Sequence, residues 1–79
     1  MTELCGRFGG VIRRSREEKG WSQETLADRA SLNRSYVGEI ERGATTPSLV
    51  TISKLAFALG VSMSALVAHC EQLTASTNR

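Results

Sequence analysis

The sequence predicts an all-α protein: a single, compact five-helix bundle. Three observations carry that reading. The chain has 79 residues, the amount one domain needs and too little for two. Apolar residues recur at helical spacing in five segments, and no alternating strand pattern competes with them. Glycines and small polar residues fall between those segments, and the only proline is Pro47. At this size folding buries about 60% of the unfolded chain's surface, which leaves little stability to spare and makes a partner subunit useful.

The first helix is expected from about Gly6 to Lys19, with Phe8, Val11, Ile12 and the stem of Arg16 on one stripe and Gly20 as a left-handed terminator. Gly9 and Gly10 weaken its first turns. Ser22 caps a second helix, Gln23 to Ala30, which buries Leu26, Ala27 and Ala30; Trp21, just before the cap, reads as core. Asn33 caps a third helix from Arg34 to Arg42 with Val37 and Ile40 inward, and Gly43 ends it. Ser48 caps a fourth, with Leu49, Ile52, Leu55, Ala56 and Leu59 inward, closed by Gly60. Ser62 caps a fifth through Met63, Leu66, Val67, Cys70 and Leu73, before a polar tail. Residues 1–79 thus read as one domain, with a core of about 8–67 and a C-terminal extension and tail over 68–79.

Composition narrows the function classes. The net charge is only +2, and residues 1–43 carry eight Lys or Arg against seven Asp or Glu, so any affinity for a polyanion must come from basic groups gathered on one face. No run approaches the roughly 18 to 20 apolar residues of a membrane span, and no charged-then-apolar leader opens the chain, so a cytoplasmic protein without membrane partners is expected. Cys5 and Cys70 read as small apolar packing residues of a reducing compartment. His69 beside Cys70 supplies only two adjacent ligands whose side chains diverge on a helix, so no metal site is expected. No convergent nucleophile, base and acid is visible, and no enzyme, cofactor or small-molecule ligand is expected.

The second and third segments form a distinct unit. Two short helices joined by a tight turn can place the second one in the major groove of B-DNA. Ala27 is small where the two helices must approach, and Leu32, Val37 and Ile40 are apolar where the second must grip the first. At about 100° per residue, Ser35, Gly38, Glu39 and Arg42 then lie opposite Val37 and Ile40, with Arg34 at the entering end.

With these residues in register, the run from Arg16 to Leu66 resembles the lambda Cro and repressor-type helix-turn-helix proteins, the XRE family. Gln23, Ala27, Leu32, Val37, Ile40 and Gly43 match the family pattern, and the likeness covers roughly Phe8 to Val67. Ser31 departs from it, since many members place glycine in the turn. The resemblance implies a five-helix bundle that binds double-stranded DNA and regulates transcription. It also implies a phosphate contact for Gln23, assisted by a helix N-terminus. Arg42, Thr45, Thr46 and Ser48 correspond to the loop that runs beside the DNA backbone, and Arg16 and Glu41 to a partly buried ion pair between the first and third helices.

On the third helix, Arg34 is suited to bridge guanine O6 and N7, with a phosphate contact as its alternative. Ser35 can pair with several bases. Glu39 can accept from cytosine N4 or act by repelling wrong sequences. Tyr36 offers its hydroxyl to a phosphate or its ring to packing. Gly38 costs a helix about 1 kcal/mol relative to alanine, which close approach to the groove would explain.

One recognition helix reads few base pairs, so a homodimer on a pseudo-palindromic operator is expected, its interface formed by Met63, Leu66, Val67, Cys70 and Leu73 of the fifth helix. Within these residues there is no room for a separate sensing domain, and the whole looks most like the controller proteins of bacterial restriction-modification systems, which time endonuclease expression and regulate their own promoter. An antitoxin that sequesters a toxin and autoregulates its operon is the alternative.

Overall fold

A computed structural model describes the backbone of residues 2–77 and the side chains of residues 3–71. Five helices follow in order: α1 (Thr2–Glu18), α2 (Gln23–Ala30), α3 (Arg34–Glu41), α4 (Leu49–Leu59) and α5 (Met63–Thr77). α1 packs on α3, α4 and α5, α2 on α3 and α4, and α4 on α5. Among the described residues no single helix is long and apolar enough to cross a membrane.

Helix ends follow from their caps. The side chains of Ser22, Asn33 and Ser48 each accept a hydrogen bond from the backbone N–H three residues on, at 3.1, 2.7 and 3.1 Å. α1 to α4 close in one way, a paired 6→1 and 5→2 backbone motif around a residue at the C-terminus: Gly20, Ser31, Gly43 and Gly60.

The core consists of Phe8, Val11 and Ile12 of α1, Leu26, Ala27 and Ala30 of α2, Val37 and Ile40 of α3, Leu55, Ala56 and Leu59 of α4, and Leu66 and Cys70 of α5. Cys5 is buried as well, its Sγ 3.3 Å from Thr46 Oγ1, and burial pushes the Cys70 thiol up so that it stays protonated. Trp21 is half-buried against this core, with Lys19 Nζ 5.3 Å and Arg29 Cζ 4.6 Å from the centre of its ring.

Several expectations are corrected. α1 begins at Thr2 rather than near Gly6, because Cys5 and Phe8 bury one face of its first turns and packing outweighs the glycine propensity. Leu49 is 74% exposed rather than inward. It opens α4 about 70° around the helix from the centre of the stripe through Ile52, Leu55, Ala56 and Leu59. Leu66 and Cys70 are each only 3% exposed, so the apolar surface expected of them for a partner subunit is consumed inside the protomer. Met63 is half-buried against the core, Val67 is 42% exposed, and the Leu73 side chain lies outside the described residues.

Candidate nucleic-acid interface

α2 and α3 are joined by Ser31, Leu32 and Asn33, and the turn is held by hydrogen bonds from Leu32 N to Ala27 O at 2.8 Å and from Ser31 N to Asp28 O at 3.3 Å. Ser31 takes the left-handed conformation, φ 56° and ψ 44°, so a serine occupies backbone space that favours glycine. Asn33 then starts α3 with its side chain on Tyr36 N, and Gly43 at φ 72° ends it after two turns.

What holds α3 in place is unusually close contact with α1. A Cβ on Gly9 would stand 2.3 Å from Ile40 O and 2.6 Å from Glu41 O, so only glycine lets α1 lie against the carbonyl end of α3. A Cβ on Gly43 would likewise meet Gly6 Cα at 2.8 Å. The helical pattern of one segment carries no sign of such contacts. Gly9 reads in sequence as a weak point of α1, and in the fold it is the point of approach.

An ion pair reinforces the same junction. Arg16 Nε donates to Glu41 Oε2 at 2.7 Å and Nη2 to Oε1 at 3.0 Å, a bidentate pair with side chains 12% and 3% exposed. Arg16 Nη1 also donates to Trp21 O at 2.8 Å, which ties the α1–α2 turn to the pair. The hydrogen bonds that Arg16 donates to Glu41 raise its guanidinium above its ordinary range, outweighing the opposite pull of burial.

Gln23 joins this network: its Nε2 donates to Glu41 Oε1 at 3.0 Å. A carboxamide nitrogen carries two hydrogens, so this bond fixes the side chain and consumes one of its donors. Gly38 is buried rather than facing outward, and the room a Cβ would need is bordered by Arg42 Nη1 at 3.1 Å and Gln23 Oε1 at 3.7 Å. The space a side chain would need is thus shared with the ends of Gln23 and Arg42. The two lie together across the middle of α3.

Around that centre, Arg34, Ser35, Glu39 and Arg42 are exposed on α3, while Val37 and Ile40 face inward at 0% and 1%. Arg34 and Arg42 stand eight residues apart, about 12 Å along the axis, and neither has an ion-pair partner among the described residues. Tyr36 is half-buried, with its hydroxyl 3.5 Å from Thr51 Oγ1. Ser48 is exposed, and its hydroxyl donates to Thr51 Oγ1 at 3.1 Å while capping α4. Thr46 is exposed with its hydroxyl on the Cys5 sulfur, and Thr45 is half-buried. The fold thus brings Gln23 and Arg42 together beside Gly38, joins Tyr36 and Ser48 at Thr51, and leaves Arg34, Ser35 and Glu39 exposed, while Thr46 turns its hydroxyl to Cys5 of α1. The hydroxyls of Tyr36, Thr46 and Ser48 are already engaged within the protomer.

Comparison with known proteins agrees with this geometry. Residues 12–66 match the helix-turn-helix family model. The control protein C.MunI of Mycoplasma sp is 36% identical over 73 residues, covering 91% of this chain and 99% of that protein. The immunity repressor of Bacillus phage phi105 is 44% identical over 59 residues, 75% of this chain and 41% of its own length, so the chain spans less than half of it. The crystal structure of the restriction-modification controller protein C.AhdI from Aeromonas hydrophila superposes with a TM-score of 0.78 at 48% identity, covering 84% of this chain and 98% of that one. The helix pair, the family match and these relatives together place the chain in the lambda Cro and repressor-type (XRE) helix-turn-helix family, as a DNA-binding transcription regulator similar to restriction-modification controller proteins.

Proposed function

We propose that the chain acts in the cytoplasm as a restriction-modification controller, binding a pseudo-palindromic operator as a homodimer, regulating its own promoter and timing endonuclease expression. The single observation that carries the DNA reading is the immobilised α3: Gly9, the Arg16–Glu41 pair and the Gln23 bond fix its inner side while Arg34, Ser35 and Glu39 stay exposed. Base edges are read by those three residues. Gln23, Tyr36, Arg42, Thr45, Thr46 and Ser48 follow the flanking phosphates. The similarity to C.MunI and C.AhdI over nearly their whole lengths supports the controller role.

Self-association uses the outward apolar side chains of α4, the turn after it and α5. Leu49, Val50, Phe57, Val61 and Val67 are 74, 65, 86, 42 and 42% exposed, more outward apolar residues than α5 supplies alone. Half-sites then lie about 34 Å apart on one face of the duplex.

Two substitutions test the division of labour in quantitative binding to matched and mismatched operators. Arg34→Ala is expected to weaken the cognate site and flatten discrimination at one base pair by about 1–3 kcal/mol, whereas Gln23→Ala weakens all sites alike. Equal loss of discrimination in both variants contradicts these roles.

A further inference from the structure

On the side of α1 turned away from α3, an open groove of about 450 Å³ runs between α1 and α5. Gly9 and Arg16, which meet α3, lie about 160° around α1 from Arg7 and Arg14, which line the groove. The body of α1, about 10 Å across, therefore stands between this groove and the DNA-facing helix.

The groove gathers donors from two helices: Arg7, Arg14 and Ser15 of α1 and His69 of α5. The Arg7 side chain is 16% exposed, and its guanidinium is held by Glu3 at 2.7 Å. Arg14 is exposed and has no ion pair among the described residues, unlike Arg7, Arg13 and Arg16 of the same helix. Gly10 forms part of the wall, and a Cβ there would meet nothing within 4 Å. No packing contact demands that glycine, in contrast to Gly9, and its effect is to leave the groove open.

Planar guanidinium groups suit phosphate oxygens, and a concavity of this size suits a small metabolite. Glu18, one turn beyond Arg14, sets the polarity of the other end. It repels a second anion and accepts hydrogen bonds from hydroxyl groups.

We propose that this groove binds a small phosphate ester of nucleoside monophosphate size, with its phosphate on Arg14, Ser15 and His69 and its hydroxyl groups on Glu18. The sequence alone pointed to no small-molecule ligand. The site is independent of the DNA reading, since it shares no residue with that surface.

The test is titration of the isotopically labelled full chain with adenosine monophosphate, adenosine and inorganic phosphate at constant ionic strength, followed by amide chemical shifts. Adenosine monophosphate is expected to move residues around Arg7, Gly10, Arg14 and His69 saturably and to bind about tenfold more tightly than either fragment. Arg14→Ala is expected to weaken it about tenfold, and Glu18→Ala, which removes the acceptor for the hydroxyl groups, to weaken adenosine monophosphate a few-fold while leaving inorganic phosphate no weaker. Both positions are exposed, so unchanged shifts elsewhere verify the fold. No saturable shift, shifts centred on α2 and α3 instead, or binding indifferent to both substitutions overturns the proposal.

Discussion

Removing the charge of Glu41 while keeping its shape tests the junction that fixes α3. In Glu41→Gln, three donors that meet a carboxylate at 2.7, 3.0 and 3.0 Å, two from Arg16 and one from Gln23, face a carboxamide with one acceptor oxygen and an NH2 of its own. Arg16 keeps its charge with its side chain 12% exposed, and the position it points to is 3% exposed. Stranding a charge in such a place costs roughly 3 to 5 kcal/mol when burial is complete, and the residual solvent access of Arg16 brings the expected loss to about 3 kcal/mol. A domain of this size holds roughly 4 to 12 kcal/mol in all, so the variant should still fold in mild conditions. Its melting temperature should drop by roughly 12 to 24 °C. The assay is urea unfolding followed by helical circular dichroism, at one protein concentration because self-association adds to apparent stability. Arg16→Met, Glu41→Met and the double Arg16→Met, Glu41→Met variant make a cycle in which the double variant loses less than the sum of the singles. A loss below about 1 kcal/mol for Glu41→Gln, the range of exposed surface pairs, refutes the reasoning.

Three further outcomes follow from single residues. Gly9→Ala should destabilise by roughly 1 to 3 kcal/mol because its Cβ collides with backbone, whereas Gly10→Ala, where space is open, should stabilise by up to about 1 kcal/mol; thermal unfolding of the pair separates the two, and equal effects count against the α1–α3 contact. Ser31→Gly should relieve the left-handed serine and add roughly 0.5 to 1 kcal/mol, read in the same melts, and a loss would mean the turn does not adopt that geometry in solution. Phe57→Asp should shift sedimentation equilibrium towards a folded monomer, and an unchanged association constant places the interface elsewhere.

The middle of the chain was legible because it is governed by local chemistry. Ser22, Asn33 and Ser48 cap, Gly43 and Gly60 terminate, and the apolar spacing between them assigns Leu26, Val37, Ile40 and Leu55 to the core, as the structure has them. The exposed position of Arg34, Ser35 and Glu39 followed from the same spacing. What escaped the sequence depends on contacts between helices. The start of α1, the tight seat of Gly9 on α3, and the shelter that Gln23 and Arg42 give Gly38 all need a neighbour's coordinates. The fifth helix shows the same limit, since its apolar stripe did not distinguish Leu66 and Cys70, spent on the protomer's own core, from Val67, left outside. Exposed Leu49 and Phe57 make the complementary point: residue type alone did not reveal which apolar side chains of α4 face solvent.

The central claim is that the outer side of α3 reads base sequence. Selection of bound duplexes from a random pool by the full chain addresses it most directly. The expected result is an enriched motif with two-fold symmetry and half-sites about one helical turn apart, which Arg34→Ala blurs at one position per half-site. A pool that stays unenriched while still binding in a salt-dependent way would contradict it, leaving only attraction to the phosphate backbone.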